Sequence, residues 1–261
     1  MSSLLKLYTT GSMEKAVCLN ATSEAAGYPK ENVLDNNLDT YWKPTSSGDK
    51  WIDFDLGEDQ LIAMFIVFFK NYKSITDGGI TARWSDNGSD WTYQTPGLDA
   101  ADITTPLRVH KWTAISHRWW SLKIAVTSVI IEVAGIWFGQ LFDINQGNEY
   151  PEADVDRFYN RIAQLPGGRL GIAGINRNSS RVISRNYLFS GVTEFDKLRN
   201  AFLDSAGRRF PLVLNEGSAQ SDAFLVRFAN DEFAENETDY QLFQPSISFV
   251  ELPYIDNGDS Y

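Results

Sequence analysis

Between Trp51 and Gly139 the apolar residues fall in short runs of strand length, each closed by a turn signal, and this spacing leaves little room for helix. Trp51–Gly57 reads WIDFDLG, in which Trp51, Ile52, Phe54 and Leu56 alternate in part with Asp53 and Asp55 before Gly57 ends the run. Leu61–Phe69 (LIAMFIVFF) is nearly continuous apolar sequence of strand length. Two strand-like pieces within Ile80–Gln94 flank Ser85-Asp86-Asn87-Gly88, whose Asn-Gly step is a strong hairpin signal. Trp119–Val126 and Val129–Gly139 add two more strands. Short strands with frequent turns predict an antiparallel β-sandwich over this half.

Past Phe142 the pattern changes. The polar stretch INQGNEYPEADV reads as a linker, with the boundary near Gln140–Pro151. One helix is signalled beyond it: Thr193 can cap with Asp196 three residues on, Phe195, Leu198, Ala201 and Phe202 share a face, and Gly207 stands where a C-terminal stop belongs. Strand patterns follow in Arg208–Asn215, Ala223–Asp231 and Tyr240–Leu252, and Arg181–Arg185 begins another. The expected division is an N-terminal arm (1–10), a sandwich (11–142), a linker (143–156) and an α+β unit (157–261), mostly sheet with one helix and a short C-terminal tail. A length of 261 residues accommodates two cores.

Charge and chemistry narrow the function. A net charge of −11 argues against nonspecific binding to nucleic acid, which requires a basic face that releases counterions. The opening MSSLLKLYTT has too short an apolar run for a signal peptide, and no stretch approaches a membrane span, so membrane insertion is not expected. Cys18 is the single cysteine, which rules out an intrachain disulfide; as a nucleophile it would need His110 or His117, and His117 in its strand-like run reads as structural. Pro166–Asn178 is glycine-rich but lacks the spacing of a dinucleotide-binding loop and reads as turns between strands. Asp53 and Asp55 share a strand face and read as solvated exterior. No opposed carboxylate pair can be nominated, and no enzyme is expected.

Five blocks in order make the first half resemble the discoidin, or coagulation-factor type C, domains, a group that includes many bacterial carbohydrate-binding modules. They are Ala21–Trp42, WIDFDLG, the hairpin Trp84–Trp91, HRWWSLKI and IIEVAGI. The resemblance implies a jelly-roll sandwich that binds ligand through loops at one end. It also implies a structural calcium ion, with Asp35, Asp39, Thr40 and Glu132 in the matching positions and main-chain oxygens near Asn32 and Asn37 as additions. The same Asp and Asn residues equally suit plain turn formation. Four loops are candidates for ligand: Ala25–Lys30 with Tyr28, Lys43–Lys50, Asn71–Gly79 with Tyr72, and Asp86–Trp91. Tyr72 with Asn71 and Lys73 best suits a sugar, which wants an aromatic platform beside donors and acceptors. Trp42, Trp51, Trp84 and Trp91 are expected in core packing.

Arg157–Leu252 resembles bacteriophage distal-tail and baseplate proteins, through the helix FDKLRNAF and the strands FPLVLN, LVRF and SISFVEL. That resemblance implies a virion tail subunit assembled in the host cytoplasm, with other tail proteins and copies of itself as partners. The first half would then project as a module for host-surface carbohydrate. The alternative is a free, lectin-like carbohydrate-binding protein.

Overall fold

The computed structural model describes residues 5–76, 79–93, 106–144 and, between 148 and 251, the strands and helix given below. The first half contains β1 (Leu5–Thr9), β2 (Val17–Ala21), β3 (Gly48–Phe69), β4 (Gly79–Ser85), β5 (Thr92–Tyr93), β6 (Leu107–Val126) and β7 (Val133–Ile144). Three short 3-10 turns, Gly11–Met13, Lys30–Leu34 and Tyr72–Ser74, sit between strands. The second half contains β8 (Asn148–Arg157), β9 (Asn160–Gln164), β10 (Leu170–Gly174), β11 (Ser180–Tyr187) and β12 (Phe189–Ser190) ahead of α1 (Val192–Asp204). After the helix come β13 (Leu212–Asn215), β14 (Ala223–Phe228), β15 (Glu237–Asp239), β16 (Leu242–Phe243) and β17 (Ser246–Glu251). The protein is mainly β, as expected, with antiparallel pairing throughout the described strands.

The two apolar runs around Gly57 form one long strand. Gly57 adopts a φ of 84°, a value that favours glycine, and the β3–β6 register shifts between Asp55 and Gln60. Gly57 therefore bends β3 instead of ending it. Before the bend β3 pairs with β2 and the end of β6; after it, β3 lies between β6 and β7. Ile52, Phe54 and Leu56 are fully buried while Trp51, Asp53 and Asp55 stay half-buried, the period of a strand with one face on a core. Phe54 and Trp120 meet Phe138 of β7 at ring distances of 5.3 and 5.4 Å, which packs the two layers against each other. Each such ring contributes about 1.5–3 kcal/mol of burial energy.

The span expected as an N-terminal arm holds β1, which pairs with β7 on one side and β13 on the other. The span expected as a linker is taken up by the end of β7 and by β8. One hydrogen-bonded path, β5-β4-β6-β3-β7-β1-β13-β14-β17-β11-β8, thus crosses both halves. A Cβ on Gly139 would stand 2.0 Å from the Thr9 carbonyl oxygen, so the close approach of β1 to β7 depends on a glycine there.

In the second half Phe195, Leu198, Ala201 and Phe202 of α1 are buried, as their spacing predicts. Phe202 packs on Phe228, and Phe228 on Phe249, with centroids 5.0 and 5.1 Å apart. The helix begins at Val192, which places Thr193 inside its first turn instead of at the cap; Gly207 lies outside the described residues. At the other end the Asp204 carboxylate accepts hydrogen bonds from the Thr9 hydroxyl and the Gly11 amide, tying α1 to β1, and burial raises its pKa. The glycine-rich stretch contains β10, which forms a hairpin with β9.

Candidate functional site

Three connections, 22–47, 70–76 and 127–132, are tied together at one end of the sandwich. Trp42, fully buried, exchanges main-chain hydrogen bonds with Val133 at 2.8 and 3.0 Å, and its indole donates to the Ser23 carbonyl. The Asn71 amide nitrogen donates to the Ile130 carbonyl and its oxygen accepts from the Glu132 amide, both at 2.9 Å. The Lys70 amide donates to the Glu132 carbonyl at 2.8 Å. These direct hydrogen bonds fix the loops to one another.

A compact aromatic and charged cluster stands on this frame. The rings of Tyr28 and Tyr41 stack with centroids 4.7 Å apart. Beside them the Lys43 ammonium donates to Glu132 at 2.7 Å and lies 5.8 Å from the Tyr28 ring. Lys70 lies 5.0 Å from the Tyr41 ring and donates to the Asp39 carbonyl. The hydrogen bond with Tyr28, together with burial, pushes the Tyr41 hydroxyl up to about 12, so this phenol is neutral at physiological pH. The bond to Glu132 raises the pKa of Lys43, which stays charged. Paired rings with a donor cation and an acceptor carboxylate at their edge suit a ligand that is apolar on its faces and polar at its rim.

Of the residues expected to hold ligand, Tyr28 joins this cluster. Asn71 has both ends of its amide committed to main chain and acts as a frame residue. Tyr72 packs half-buried against the core, and Lys73 is exposed on the 3-10 turn. Tyr41 and Lys70 were not anticipated, and Lys43 only as the first residue of a candidate loop. The signal for two of them lay in TYWKP: once Trp42 points inward, Tyr41 and Lys43 point the other way.

The expected calcium set is brought together in part. The Thr40 hydroxyl lies 2.5 Å from Asp35 Oδ2 and 2.8 Å from the Asn37 carbonyl oxygen, so three hard oxygens converge around a group with one proton to give. The remaining members have other partners: Glu132 binds Lys43, the Asp39 carbonyl takes Lys70, and the Asn32 amide donates to the Tyr41 carbonyl. Turn formation is also present, since Asp35 accepts from the Asn37 amide, Asn37 from the Asp39 amide, and Asn36 has a φ of 57°. The oxygens of Asp35, Asn37 and Thr40 are of the hard kind that calcium takes but number about half of its six to eight ligands, and among the described residues no group of three or more His, Cys, Asp or Glu comes together to hold a metal ion.

Elsewhere the polar residues are structural. Asp53 and Asp55 are not solvated exterior: Asp55 binds Arg118 through two contacts of 2.7 Å, which lowers its pKa, and Asp53 faces Arg83 at 3.6 Å. His117 stacks on Trp84 at 3.5 Å and contacts Asp86 at 2.7 Å. Burial pushes the Cys18 thiol up to about 12, which disfavours the nucleophilic thiolate. Trp42 is a core residue and Trp84 packs half-buried against the core, whereas Trp51 and Trp91 are half-buried outside it.

Residues 19–127 match the sequence model of a known family, the F5/8 type C domain. Among solved structures, a chitosan-binding module from a chitosanase/glucanase of Paenibacillus sp. IK-5 is similar at 18% identity and a TM-score of 0.42, over 51% of this chain and 99% of that one. A Clostridium perfringens structure described as CpGH89CBM32-6 is similar at 16% identity and a TM-score of 0.40, over 50% and 97%. A putative alpha-L-fucosidase from Bacteroides thetaiotaomicron is similar at 15% identity and a TM-score of 0.44, over 49% of this chain and 28% of that one. No curated protein matches the chain. The family match places the discoidin-type fold in the first half and ends before the second.

Proposed function

We propose that the first half is a non-catalytic carbohydrate-binding domain whose ligand rests on Tyr28 and Tyr41 and is hydrogen-bonded at its rim by Lys43, Lys70 and Glu132. The observation that carries this reading is the stacked tyrosine pair edged by an ammonium–carboxylate pair, on loops fixed by main-chain hydrogen bonds. A sugar ring presents C–H faces to aromatic rings and hydroxyls to charged groups at the edge. The domain binds and orients; no residue described here is arranged to break a glycosidic bond. Calcium, where bound, would be held by Asp35, the Asn37 carbonyl and Thr40, and would supply a fixed charge that pins the 35–40 turn. Binding to a glycan array by the parent chain and by Tyr28→Ala and Lys43→Ala variants tests the reading. Both variants are expected to lose retention while remaining folded, and undiminished binding by both would place the ligand elsewhere.

The second half is proposed to carry this domain on a virion tail, the role its sequence pattern suggests. Support comes from the way the halves are joined: β1 is hydrogen-bonded between β7 and β13, so the binding domain is an extension of the second half's sheet. Mass measurement of the purified chain, alone and in particles, tests this. A strict monomer absent from every particle would leave a free carbohydrate-binding protein as the reading.

A further inference from the structure

Among the described residues only Asn36, in the 35–40 turn, combines a side chain with a left-handed backbone. Asparagine enters that region more readily than most residues, through the local bonds its side chain makes. Here the groups that hold it come from outside the turn. The Trp137 indole of β7 donates to Asn36 Oδ1 at 2.9 Å, and Arg227 Nη2 of β14 lies 3.5 Å from the Asn36 carbonyl oxygen. Trp137 is buried, and its ring lies over Gly135 of the same strand, where a Cβ would stand 2.0 Å from it. Packing therefore fixes the indole independently of Asn36.

β14 is placed to carry the contact between halves. Successive residues of a strand point to opposite faces. Val226 and Phe228 are buried on one face, where Phe228 meets Phe202 of α1. Leu225 on the other face belongs to the core of the first half, and Arg227 shares that face. Both Trp137 and Arg227 lie outside residues 19–127, the span that matches the F5/8 type C family.

The turn they hold leads into the loop-end site. The Asn37 carbonyl oxygen accepts from the Thr40 amide at 3.2 Å and its hydroxyl at 2.8 Å, the Asp39 carbonyl accepts from Lys70, and Tyr41 follows. Two dihedrals per residue decide where the chain goes next, so a change at Asn36 redirects the Asn37 carbonyl and the groups bonded beyond it.

We propose that Arg227 is a positioning residue through which the second half sets the shape of the 35–40 turn, and with it the placement of Tyr41 and Lys70. It touches no ligand itself and acts through Asn36. Its consequence for glycan rests on the loop-end reading; its consequence for the turn does not.

The test uses the full chain, and its first arm needs no ligand. Arg227→Met keeps the aliphatic stem and removes the guanidinium. By nuclear magnetic resonance the Thr40 amide is expected to exchange with deuterium about tenfold faster in this variant, the loss of one hydrogen bond from a charged donor, and the Trp137 indole N–H resonance to move. Arg227→Lys should restore both in part. An exchange rate and an indole resonance that Arg227→Met leaves unchanged would overturn the proposal. Where that variant fails to fold, the parent decides: nuclear Overhauser contacts between the Arg227 side chain and the backbone of Asn36 and Asn37 are expected, and their absence would overturn it equally. The second arm is retention on a glycan array, expected to fall about tenfold in folded Arg227→Met. Retention that stays whole while Thr40 exchange has risen would refute the placement of Tyr41 and Lys70 by the second half. A parent chain that no glycan retains would instead remove the loop-end reading, and the first arm would still decide whether the second half shapes the turn.

Discussion

Breaking the Lys43–Glu132 pair is the sharpest probe of the loop-end site, because the pair joins two connections 89 residues apart in sequence. Lys43→Met keeps the aliphatic stem and removes the charge; Glu132→Gln keeps the shape and removes the partner. Two unit charges at about 4 Å attract by about 4 kcal/mol at the effective dielectric of a protein surface. The side chains retain 32% and 23% of their exposure, so screening by water and the entropy of holding a lysine reduce the net coupling to about 1 kcal/mol. The two single variants and the double variant form a cycle, read from urea unfolding followed by tryptophan fluorescence. The coupling should shrink in 1 M salt, where the screening length is about 3 Å. Its pH dependence has a definite sign. The folded pKa of Lys43 is raised, so the stabilisation is complete below the ordinary lysine value of about 10.4 and is lost as pH rises through the higher folded value. Strictly additive single variants would refute the reasoning, since the ammonium would then not be held on Glu132 in solution.

Cys18, its thiol pushed up to about 12, should react with iodoacetamide at pH 8 about a thousandfold more slowly in the native chain than after unfolding, and rapid native labelling would contradict its burial. Arg118→Met should destabilise the chain at neutral pH. Because Arg118 lowers the pKa of Asp55, that contribution is present above the ordinary aspartate value of about 3.9 and fades as pH falls through the lower folded value, so parent and variant should converge in strong acid; a constant difference across the titration would point to lost packing instead. Gly139→Ala forces a methyl against the Thr9 carbonyl and should cost about 1–3 kcal/mol in urea unfolding, and an unchanged midpoint would mean that β1 is not seated on β7.

The sandwich was legible because its strands have one buried face: Ile52, Phe54 and Leu56 declare it by alternation, and Leu61–Phe69 by being a central stretch between β6 and β7. β1 was not legible, since five residues are too few to show a period and their pairing partners lie far along the chain. Gly57 was read as a stop because sequence shows a glycine's freedom without showing how the chain uses it. At the site, Tyr28 could be found as an aromatic residue in a polar loop. Lys70 could not, because a lysine is informative only once Tyr41 and the Asp39 carbonyl have been brought beside it. Glu132 was singled out as a calcium ligand, and its partner in this structure is the Lys43 ammonium.

The joint between the halves bears on how weak sugar binding could become useful. A lectin-like domain on a flexible tether samples many orientations, and each added site gains only what the tether allows. Here the domain is continuous with the second half through the β7-β1-β13 ladder, and α1 is tied to β1 and Gly11 through Asp204. If the second half assembles with copies of itself in a virion tail, as proposed, every copy would present its loops in the same fixed direction. Sites of modest individual affinity would then meet a glycan-coated surface together, with avidity gains on the order of 10²–10⁴ that need no new contact. A fixed direction also carries a cost, because a surface whose glycans do not match the spacing of the copies gains nothing. The continuity of the joint therefore matters to function only in an assembly, which is why the oligomeric state decides between the two readings of the whole chain more directly than affinity for any one sugar.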